Sequence, residues 1–139
     1  MSQIIMARRQ PVNIFRPVSA LNEVGGEMAL AAFEQDALQR FGSRGPLARL
    51  SRDRQRRIAE LQRLCQKYQV VLPQLPPVRP ISPVGWDELL RHEVELLVEN
   101  LRLYNRLLEG RLPYADVERS MSRLRQETLR VHLPLLLEG

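Results

Sequence analysis

The segment from Pro73 to Pro83 places the strongest constraint on how this chain can fold, because it holds five of the ten prolines. Proline fixes the backbone φ angle and disfavours helix in the residue before it, so residues 72–85 are predicted to be extended, largely as polyproline II. At about 3.1 Å per residue, these fourteen residues reach roughly 43 Å. A helix of about 24 residues is roughly 36 Å long. The segment is therefore long enough to run the whole length of a helical bundle.

Apolar residues recur at helical spacing on both sides of this segment, and they predict four helices. The predicted helices cover about residues 19–41, 46–71, 86–109 and 113–136, within a bundle domain of residues 19–139. Ser19 is a candidate N-cap, and Pro46 and Pro113 suit the first turns of the second and fourth helices. Short turns join the helices within each pair, and the long crossover at 72–85 joins the two pairs. The sequence thus predicts an all-α, antiparallel four-helix bundle in the ferritin-like arrangement of two hairpins and one crossover.

Glycine, proline and cysteine residues inside the predicted helices give more specific expectations. Gly25-Gly26 indicates either the close approach of a neighbouring helix or a first helix that begins near Glu27, since each interior glycine costs about 1 kcal/mol relative to alanine. Pro134 is expected to kink or end the last helix. Cys65 is the single cysteine, which excludes an internal disulfide and a cysteine metal cluster. Its place on an apolar stripe predicts a small core residue.

The segment that ends the first predicted helix and runs through the second carries a strong net positive charge. From Arg40 to Lys67 there are nine basic and two acidic residues, a local charge of +7, whereas the whole chain carries +5. Such a surface can bind nucleic acid, anionic lipid or an acidic protein face. Nucleic-acid binding is weakly supported, because Tyr68 is the only aromatic residue between Arg44 and Val71 and it is predicted to lie in the core. The candidate contact residues on this helix are Arg49, Arg52, Arg56 and Arg63.

Residues 1–18 are predicted to form an extended N-terminal arm, because they contain two prolines and little periodicity. The arm is too apolar for a purely solvated tail, so it either packs on its own bundle or docks on a partner. Its candidate contact residues are Ile4, Ile5, Arg8, Arg9 and Phe15. The apolar stretch at its start is too short for a signal peptide, and no apolar run approaches the length of a membrane helix. The expectation is a cytoplasmic protein that does not insert into membranes.

Part of the chain resembles the bacterial ferritin-like (rubrerythrin-like) four-helix domain family. The resemblance covers roughly residues 19–138 and rests on the helix layout, the long crossover, Lys67-Tyr68, and the stretch Glu99-Asn-Leu-Arg-Leu-Tyr104-Asn-Arg-Leu-Leu108. It implies a mid-bundle di-metal centre, held by a glutamate from each of two helices and a Glu-x-x-His pair from each of the other two. The carboxylates in such a centre neutralise the two cations.

The implied metal ligands are largely absent from this chain. Glu27 matches the glutamate of the first helix, but Arg54-Gln-Arg-Arg57 stands where the first Glu-x-x-His pair would be. Leu97 stands at the glutamate position of the third helix, with Glu93 one turn away. In Leu129-Arg-Val-His132, at the second pair, only the histidine matches. Two guanidinium groups would repel a metal cation, so the expectation is a degenerate site without a metal or another cofactor.

Two interpretations of the central charged residues stay open. Glu27 can pair inside the bundle with Arg54 or Arg57, so that a fixed arginine charge replaces the metal. Alternatively, the two arginines extend to the surface and Glu27 is solvated. His132 is either a structural histidine or a metal ligand, and a residual site would use Glu27, Glu93 or Glu95, and His132. The predicted internal polar cluster is Glu27, Arg54, Arg57 and His132.

No catalytic pattern emerges from the sequence, since it contains no glycine-rich phosphate loop and no nucleophile–base pair. We therefore expect a non-catalytic helical bundle that acts as an interaction or assembly module, with a protein partner or a homo-oligomer. Two alternatives are a residual di-iron or manganese protein, and a protein that binds nucleic acid or another acidic partner through its basic second helix.

Overall fold

The computed structural model describes residues 23–42, 45–70, 85–110, 112 and 114–138. All regular secondary structure in these ranges is helical, and they contain no strand. The helices are α1 (Glu23–Phe41), α2 (Leu47–Lys67), α3 (Trp86–Glu109), α4 (Ala115–Glu127), a π-helical segment (Thr128–His132) and α5 (Leu133–Glu138). The last three form one continuous rod, so the prediction of an all-α protein with four helices is confirmed for the residues that the structure describes.

The predicted arm and nearly all of the predicted crossover lie outside the described ranges. These ranges leave out residues 1–22, which contain the candidate contact residues of the arm, and residues 71–84. Among the described helices, none has the combination of length and high hydropathy that a bilayer span requires.

Each of the four helices packs against two neighbouring helices. α1 packs against α2 and α3, and the rod that begins with α4 packs against α3 and α2. Trp86, at the start of α3, lies beside Phe41 at the end of α1, with 5.7 Å between the ring centroids. The start of α3 therefore lies at the end of the bundle where α1 ends and α2 begins. It follows that α3 runs antiparallel to α1 and parallel to α2.

The apolar core is divided along the bundle axis. One cluster of buried side chains lies around Val24, Leu61 and Tyr104 and includes Cys65, which is buried as expected. The other clusters lie around Leu30, Leu50 and Leu97, and around Phe33, Leu47 and Leu89. Arg54 and Arg57 occur between Leu50 and Leu61 on α2, so polar side chains fill the layer between these clusters.

The C-terminus of α2 corrects the predicted boundary at residue 71, because the helix ends at Lys67. Gln69 adopts the left-handed conformation, with φ of 55°. The Val70 N–H donates to the Cys65 carbonyl at 2.8 Å and the Gln69 N–H donates to the Gln66 carbonyl at 3.2 Å. These two bonds form a Schellman motif, which satisfies carbonyl groups left free at a helix end. Glycine usually occupies the left-handed position, so a glutamine there gave no sequence signal of the end.

The last helix does not end at Pro134, because the rod continues past this residue to Glu138. A proline inside a helix lacks an N–H donor, and its ring clashes with the carbonyl four residues earlier. In the π-helical segment directly before it, the Leu133 N–H donates to the Thr128 carbonyl five residues back. This wider turn relieves the conflict and lets the helix continue. In α1, Gly25 and Gly26 lie inside the helix, so a helix that begins at Glu27 is excluded.

The turn between α1 and α2 depends on two glycines, and the alanine variant of one is expected to destabilise the fold more than that of the other. Gly42 and Gly45 both have positive φ, at 71° and 57°. A Cβ on Gly45 would lie 2.8 Å from Cζ2 of Trp86, whereas a Cβ on Gly42 would meet no atom within 4 Å. Gly42→Ala is therefore expected to cost about 1–2 kcal/mol through backbone strain alone. Gly45→Ala has the same backbone strain and also brings its Cβ against Trp86, so it is expected to lose more unfolding free energy than Gly42→Ala. Equal losses of unfolding free energy in chemical denaturation would contradict this contact.

Candidate functional site: a buried ionic network

The middle of the bundle holds a layer of buried polar side chains, which we call the buried polar network. α1, α2, α3 and the π-helical segment each contribute at least two of its members, and every member is buried at 4% exposure or less. The members are Glu27, Glu34, Arg54, Arg57, Glu93, Asn100, Tyr104, Thr128 and His132. Charged side chains are rarely buried to this extent unless they are paired, so their contacts determine what the layer can do.

Glu27 is the centre of the network. Arg57 approaches its carboxylate with two nitrogens, Nε at 3.0 Å from Oε1 and Nη2 at 2.8 Å from Oε2. Arg54 Nη1 donates to Oε1 at 2.5 Å, while Tyr104 Oη and Asn100 Nδ2 donate to Oε2 at 2.5 Å and 3.0 Å. Burial acts to raise the pKa of Glu27, but the charges of Arg57 and Arg54 and the hydrogen bonds outweigh it and lower the pKa to about 2. Glu27 is therefore ionised at neutral pH.

The two arginines are held by further partners. Arg54 forms a second two-nitrogen contact with Glu34, at 3.3 Å from Nε and 3.2 Å from Nη2. Arg57 Nη1 donates to the Leu124 carbonyl at 3.1 Å and to Thr128 Oγ1 at 2.9 Å. Burial acts to lower the pKa of both guanidinium groups, but the negative charge of Glu27 raises it. Both side chains remain cations and are fully buried, so neither extends to the surface.

Glu93 differs from the other carboxyl groups in the layer. It is fully buried, and neither of its oxygens meets a protein donor. Burial, followed by the negative charge of Glu34 and hydrogen bonding to it, raises the pKa of Glu93 well above its ordinary value. The protonated form of Glu93 is therefore favoured, and its O–H can donate to Glu34. The charges in the layer then balance, with the anions Glu27 and Glu34 facing two guanidinium groups.

His132 lies at the edge of the layer in a small cluster of possible metal ligands. Its Nε2 is 3.1 Å from Asp53 Oδ2, and one ligand atom from each of Asp53, Glu127 and His132 lies within 4.8 Å of the others. Burial lowers the pKa of His132 despite its hydrogen bond to Asp53, so the ring is neutral at pH 7. Both oxygens of Glu127 are also bound by arginines, Oε1 by Arg57 and Oε2 by Arg56.

The predicted site residues are placed as follows. Glu27, Arg54 and Arg57 come together at the centre, and Glu93 joins them through Glu34. His132 lies in the same layer but bonds to Asp53 instead. Glu95 is outside the layer, since its side chain is 65% exposed and faces His92. The four candidate contact arginines of α2 are exposed, and Arg49 and Arg56 pair with Asp53 and Glu127.

Sequence reasoning missed several members of the network. Glu34 follows Glu27 by seven residues and Asn100 follows Glu93 by seven, which is two helical turns and places each pair on one face. This spacing could have identified Glu34 and Asn100. The family resemblance places Leu129 at the position of a metal ligand, but this residue does not face the interior. Its side chain is 48% exposed, and Thr128 faces the interior instead. Leu97 is buried but packs in an apolar cluster.

Comparison with known proteins gives no relative from which a role could be transferred. No family model, no curated protein and no solved structure matches this chain.

The hydroxyl of Tyr104 gives a direct test of how strongly the network contributes to stability. Burial and the adjacent Glu27 raise the pKa of Tyr104 well above its ordinary value, so the hydroxyl stays protonated and donates to the carboxylate. Tyr104→Phe removes a buried hydrogen bond to a charged acceptor and is expected to cost about 1.5–3 kcal/mol of unfolding free energy. The matched control is Tyr68→Phe, whose hydroxyl donates to the partly exposed Asp116 at 2.7 Å. If both variants lose the same unfolding free energy in denaturation, the hydrogen bond of Tyr104 within the network is no stronger than that of Tyr68 near the surface.

Proposed function

We propose that this chain is a non-catalytic, ferritin-like four-helix module in which an arginine–glutamate network occupies the place of a di-metal centre. In this proposal the bundle interior is structural and the protein acts through its surface, by binding a protein partner or further copies of itself. The observation that carries the proposal is the position of Glu27, held between the guanidinium groups of Arg54 and Arg57.

The positions of the helix ends support the ferritin-like arrangement. α2 ends at the opposite end of the bundle from the turn where α3 begins. The 21 residues of α2 span roughly 31 Å. Fourteen residues, 71–84, connect Val70 to Gly85. Their reach of roughly 43 Å is sufficient for a connection along the whole bundle.

The electrostatics of the layer support an interior that does no metal chemistry. Two unit charges 4 Å apart interact by about 4 kcal/mol near a protein surface. A divalent cation beside Glu27 would therefore be repelled strongly by Arg54 and Arg57. No ionised carboxylate in the central layer is left without a cationic partner, since Glu27 and Glu34 are paired and Glu93 is protonated. The layer also lacks an activated nucleophile, because its hydroxyl groups on Tyr104 and Thr128 are engaged with Glu27 and Arg57.

The outer face of α2 supports an acidic protein face as the partner. Four arginines there are exposed, namely Arg49, Arg52, Arg56 and Arg63. Arginine is well suited to protein interfaces because its planar group binds carboxylates with two hydrogen bonds. Tyr68, the one aromatic residue near this face, stacks on Tyr114 with ring centroids 4.3 Å apart and is therefore not free to stack on a nucleic-acid base.

The first test combines the native mass of the full chain with its metal content after expression with iron and manganese. The proposal expects a discrete oligomer or complex without stoichiometric metal. Reversal of two charges by Arg52→Glu and Arg63→Glu is expected to dissociate it. The control is the same reversal at Arg91 and Arg102, which are exposed on α3. One or two bound metal ions per chain would overturn the proposal. Binding to a nucleic acid that weakens steeply with salt would mean that the partner is a nucleic acid and not a protein.

A second candidate function is metal binding by Asp53, Glu127 and His132, which is favoured by the proximity of their ligand atoms. A neutral imidazole and two carboxylates suit zinc or manganese. The metal would have to displace Arg56 and Arg57 from Glu127 and break the bond between His132 and Asp53. Calorimetric titration with Zn²⁺ and Mn²⁺ tests this candidate. Saturable binding that is lost in His132→Ala and kept in His92→Ala would support it, and no heat of binding would exclude it.

A further inference from the structure

A groove of about 220 Å³ lies between α1 and α3, and its lining is almost wholly apolar. Gly26 and Ala29 belong to the lining on α1, and because they add at most a methyl group, another backbone can pass close to this helix. The apolar side chains of the lining are Leu30, Phe33, Leu96 and Leu103. Apolar surface is stabilised when other apolar groups cover it, so the groove is a candidate docking surface for an apolar segment.

The N-terminal arm is joined to α1 close to this groove. The described ranges leave out residues 1–22, and α1 begins at Glu23, three residues before Gly26. Phe15 precedes Glu23 by eight residues, which span at most about 29 Å. The groove extends along α1 from Gly26 to Phe33, a distance of roughly 10 Å. A β-turn needs only four residues, so the chain is long enough to reverse after Phe15 and place this residue anywhere along the groove.

The size and apolar character of the groove fit two side chains of the arm. A cavity of about 150 Å³ is large enough for benzene. A groove of about 220 Å³ therefore holds one phenyl ring with an aliphatic side chain beside it. Phe15 is the only aromatic residue among residues 1–22, and Ile14 directly precedes it. This pair matches the groove both in volume and in hydrophobic character.

The charge of the arm is complementary to the surface around the groove. Residues 1–22 contain three arginines and no acidic residue. The exposed charged residues of α3 are five acids and three arginines, and one of the acids, Glu99, lines the groove. Arg16 directly follows Phe15, so a phenylalanine held in the groove brings this guanidinium group within reach of the Glu99 carboxylate. The outer face of α2 would repel the arm instead, since the exposed charged residues of α2 are all basic.

We propose that the N-terminal arm packs in the groove between α1 and α3 of its own chain, with Ile14 and Phe15 against the apolar lining and Arg16 beside Glu99. Because the arm is joined directly to α1, its effective concentration at the groove is high, and it binds there ahead of a separate molecule. The inference goes beyond the proposed function, since it assigns the arm to the bundle and leaves the outer face of α2 for a partner.

A tryptophan at position 15 reports directly on whether the arm is buried. The variant Phe15→Trp in a Trp86→Phe background contains no other tryptophan, because Trp86 is the only one in the chain. Its fluorescence emission is expected at shorter wavelength than that of the same protein unfolded in urea, and it should stay there on dilution. Emission equal to that of the unfolded protein would overturn the proposal, since the arm would then be solvated. A shift to longer wavelength on dilution would also overturn it, because the arm would then bind a second copy.

Two matched substitutions on α1 test whether the groove is the surface that holds the arm. Ala29→Arg puts a long cationic side chain into the groove and is expected to expel the basic arm, so that the emission moves to that of the unfolded protein. Ala32→Arg makes the same change at an exposed position outside the groove lining and is expected to leave the emission unchanged. Circular dichroism checks that both variants fold. Emission that ignores Ala29→Arg, or that shifts equally in both variants, would place the arm elsewhere and contradict the assignment.

A double-mutant cycle in the chain with Trp86 intact gives a second, independent readout. Phe15→Ser and Ala29→Arg disrupt the same contact, so their combined loss of unfolding free energy is expected to be smaller than the sum of their separate losses. The losses of Phe15→Ser and Ala32→Arg are expected to add, because these residues do not meet. Additive losses in both pairs would show that Phe15 does not lie in the groove.

Discussion

Replacement of Glu27 by glutamine is expected to lower the free energy of unfolding by about 3–5 kcal/mol. The glutamine has nearly the same shape, so the change removes the charge and leaves the packing intact. Arg54 would then keep Glu34 as its only anionic partner, and Arg57 would keep only the partly exposed Glu127. A buried ion pair contributes little net stability, but removal of one partner leaves a charge that neither water nor protein compensates.

Urea denaturation of the wild type and Glu27→Gln measures this loss directly. The control is Glu95→Gln, whose side chain is 65% exposed and for which a change within about 0.5 kcal/mol is expected. The pH dependence gives an independent check. The pKa of Glu27 is about 2 in the folded protein against an ordinary 4.5, so its contribution is present above pH 4.5 and is lost as pH falls towards 2. At about 1.4 kcal/mol per pH unit the loss is roughly 3 kcal/mol, and it should be absent from the variant.

Replacement of Glu93 by glutamine is expected to raise the free energy of unfolding at neutral and alkaline pH, in contrast to the loss expected for Glu27→Gln. The variant should therefore be more stable than the wild type at these pH values. The raised pKa of Glu93 means that the folded protein holds a proton which the unfolded chain releases near pH 4.5. Its stabilising contribution is therefore complete below pH 4.5 and is lost as pH rises towards the folded-state pKa, by about 1.4 kcal/mol per unit. A glutamine is neutral at every pH and retains a donor for Glu34.

The difference in unfolding free energy between the wild type and Glu93→Gln, measured from pH 4 to pH 9, isolates this titration. The comparison is needed because the lowered pKa of His132 gives the wild type the opposite slope below pH 6.5. Other charges face Glu93 from α1 and α2, namely Glu34 and Arg54, and they are unchanged in the variant. A difference that stays constant with pH would mean that Glu93 is ionised in the folded protein.

Helical periodicity predicts much of the architecture. It predicts only in part which charged side chains lie in the centre of the bundle. The apolar stripe of α2 passes through Arg54, and the structure brings this residue and Arg57 onto Glu27 inside the bundle. The sequence left open whether these arginines extend to the surface, because a long side chain near a stripe can do either. The answer depended on Glu34, Asn100 and Tyr104, which supply enough partners to keep the charges buried.

The last helix shows where the family resemblance fails. The resemblance places Leu129 at the position of a metal ligand, but Leu129 is 48% exposed and Thr128 faces the interior instead. The π-helical segment from Thr128 to His132 adds one residue to the turn and shifts the faces that follow it. No propensity scale signals such a turn, although Pro134 directly after it marks a position where an ordinary helix meets a conflict. Similarly, the end of α2 was not predicted because Gln69 adopts the left-handed conformation at a position where a glycine usually marks a helix end.

The sequence distances spanned by the contacts of Glu27 imply an order of folding events. Arg54 and Arg57 reach it across 27 and 30 residues, inside the first hairpin, whereas Asn100 and Tyr104 reach it across 73 and 77 residues. Contacts close in sequence form sooner, because closing a longer loop costs more chain entropy. We therefore expect the oppositely charged groups of the first hairpin to meet while water still surrounds them, and the second hairpin to expel that water later. By this order, neither arginine has to lose its hydration before it has an anion beside it.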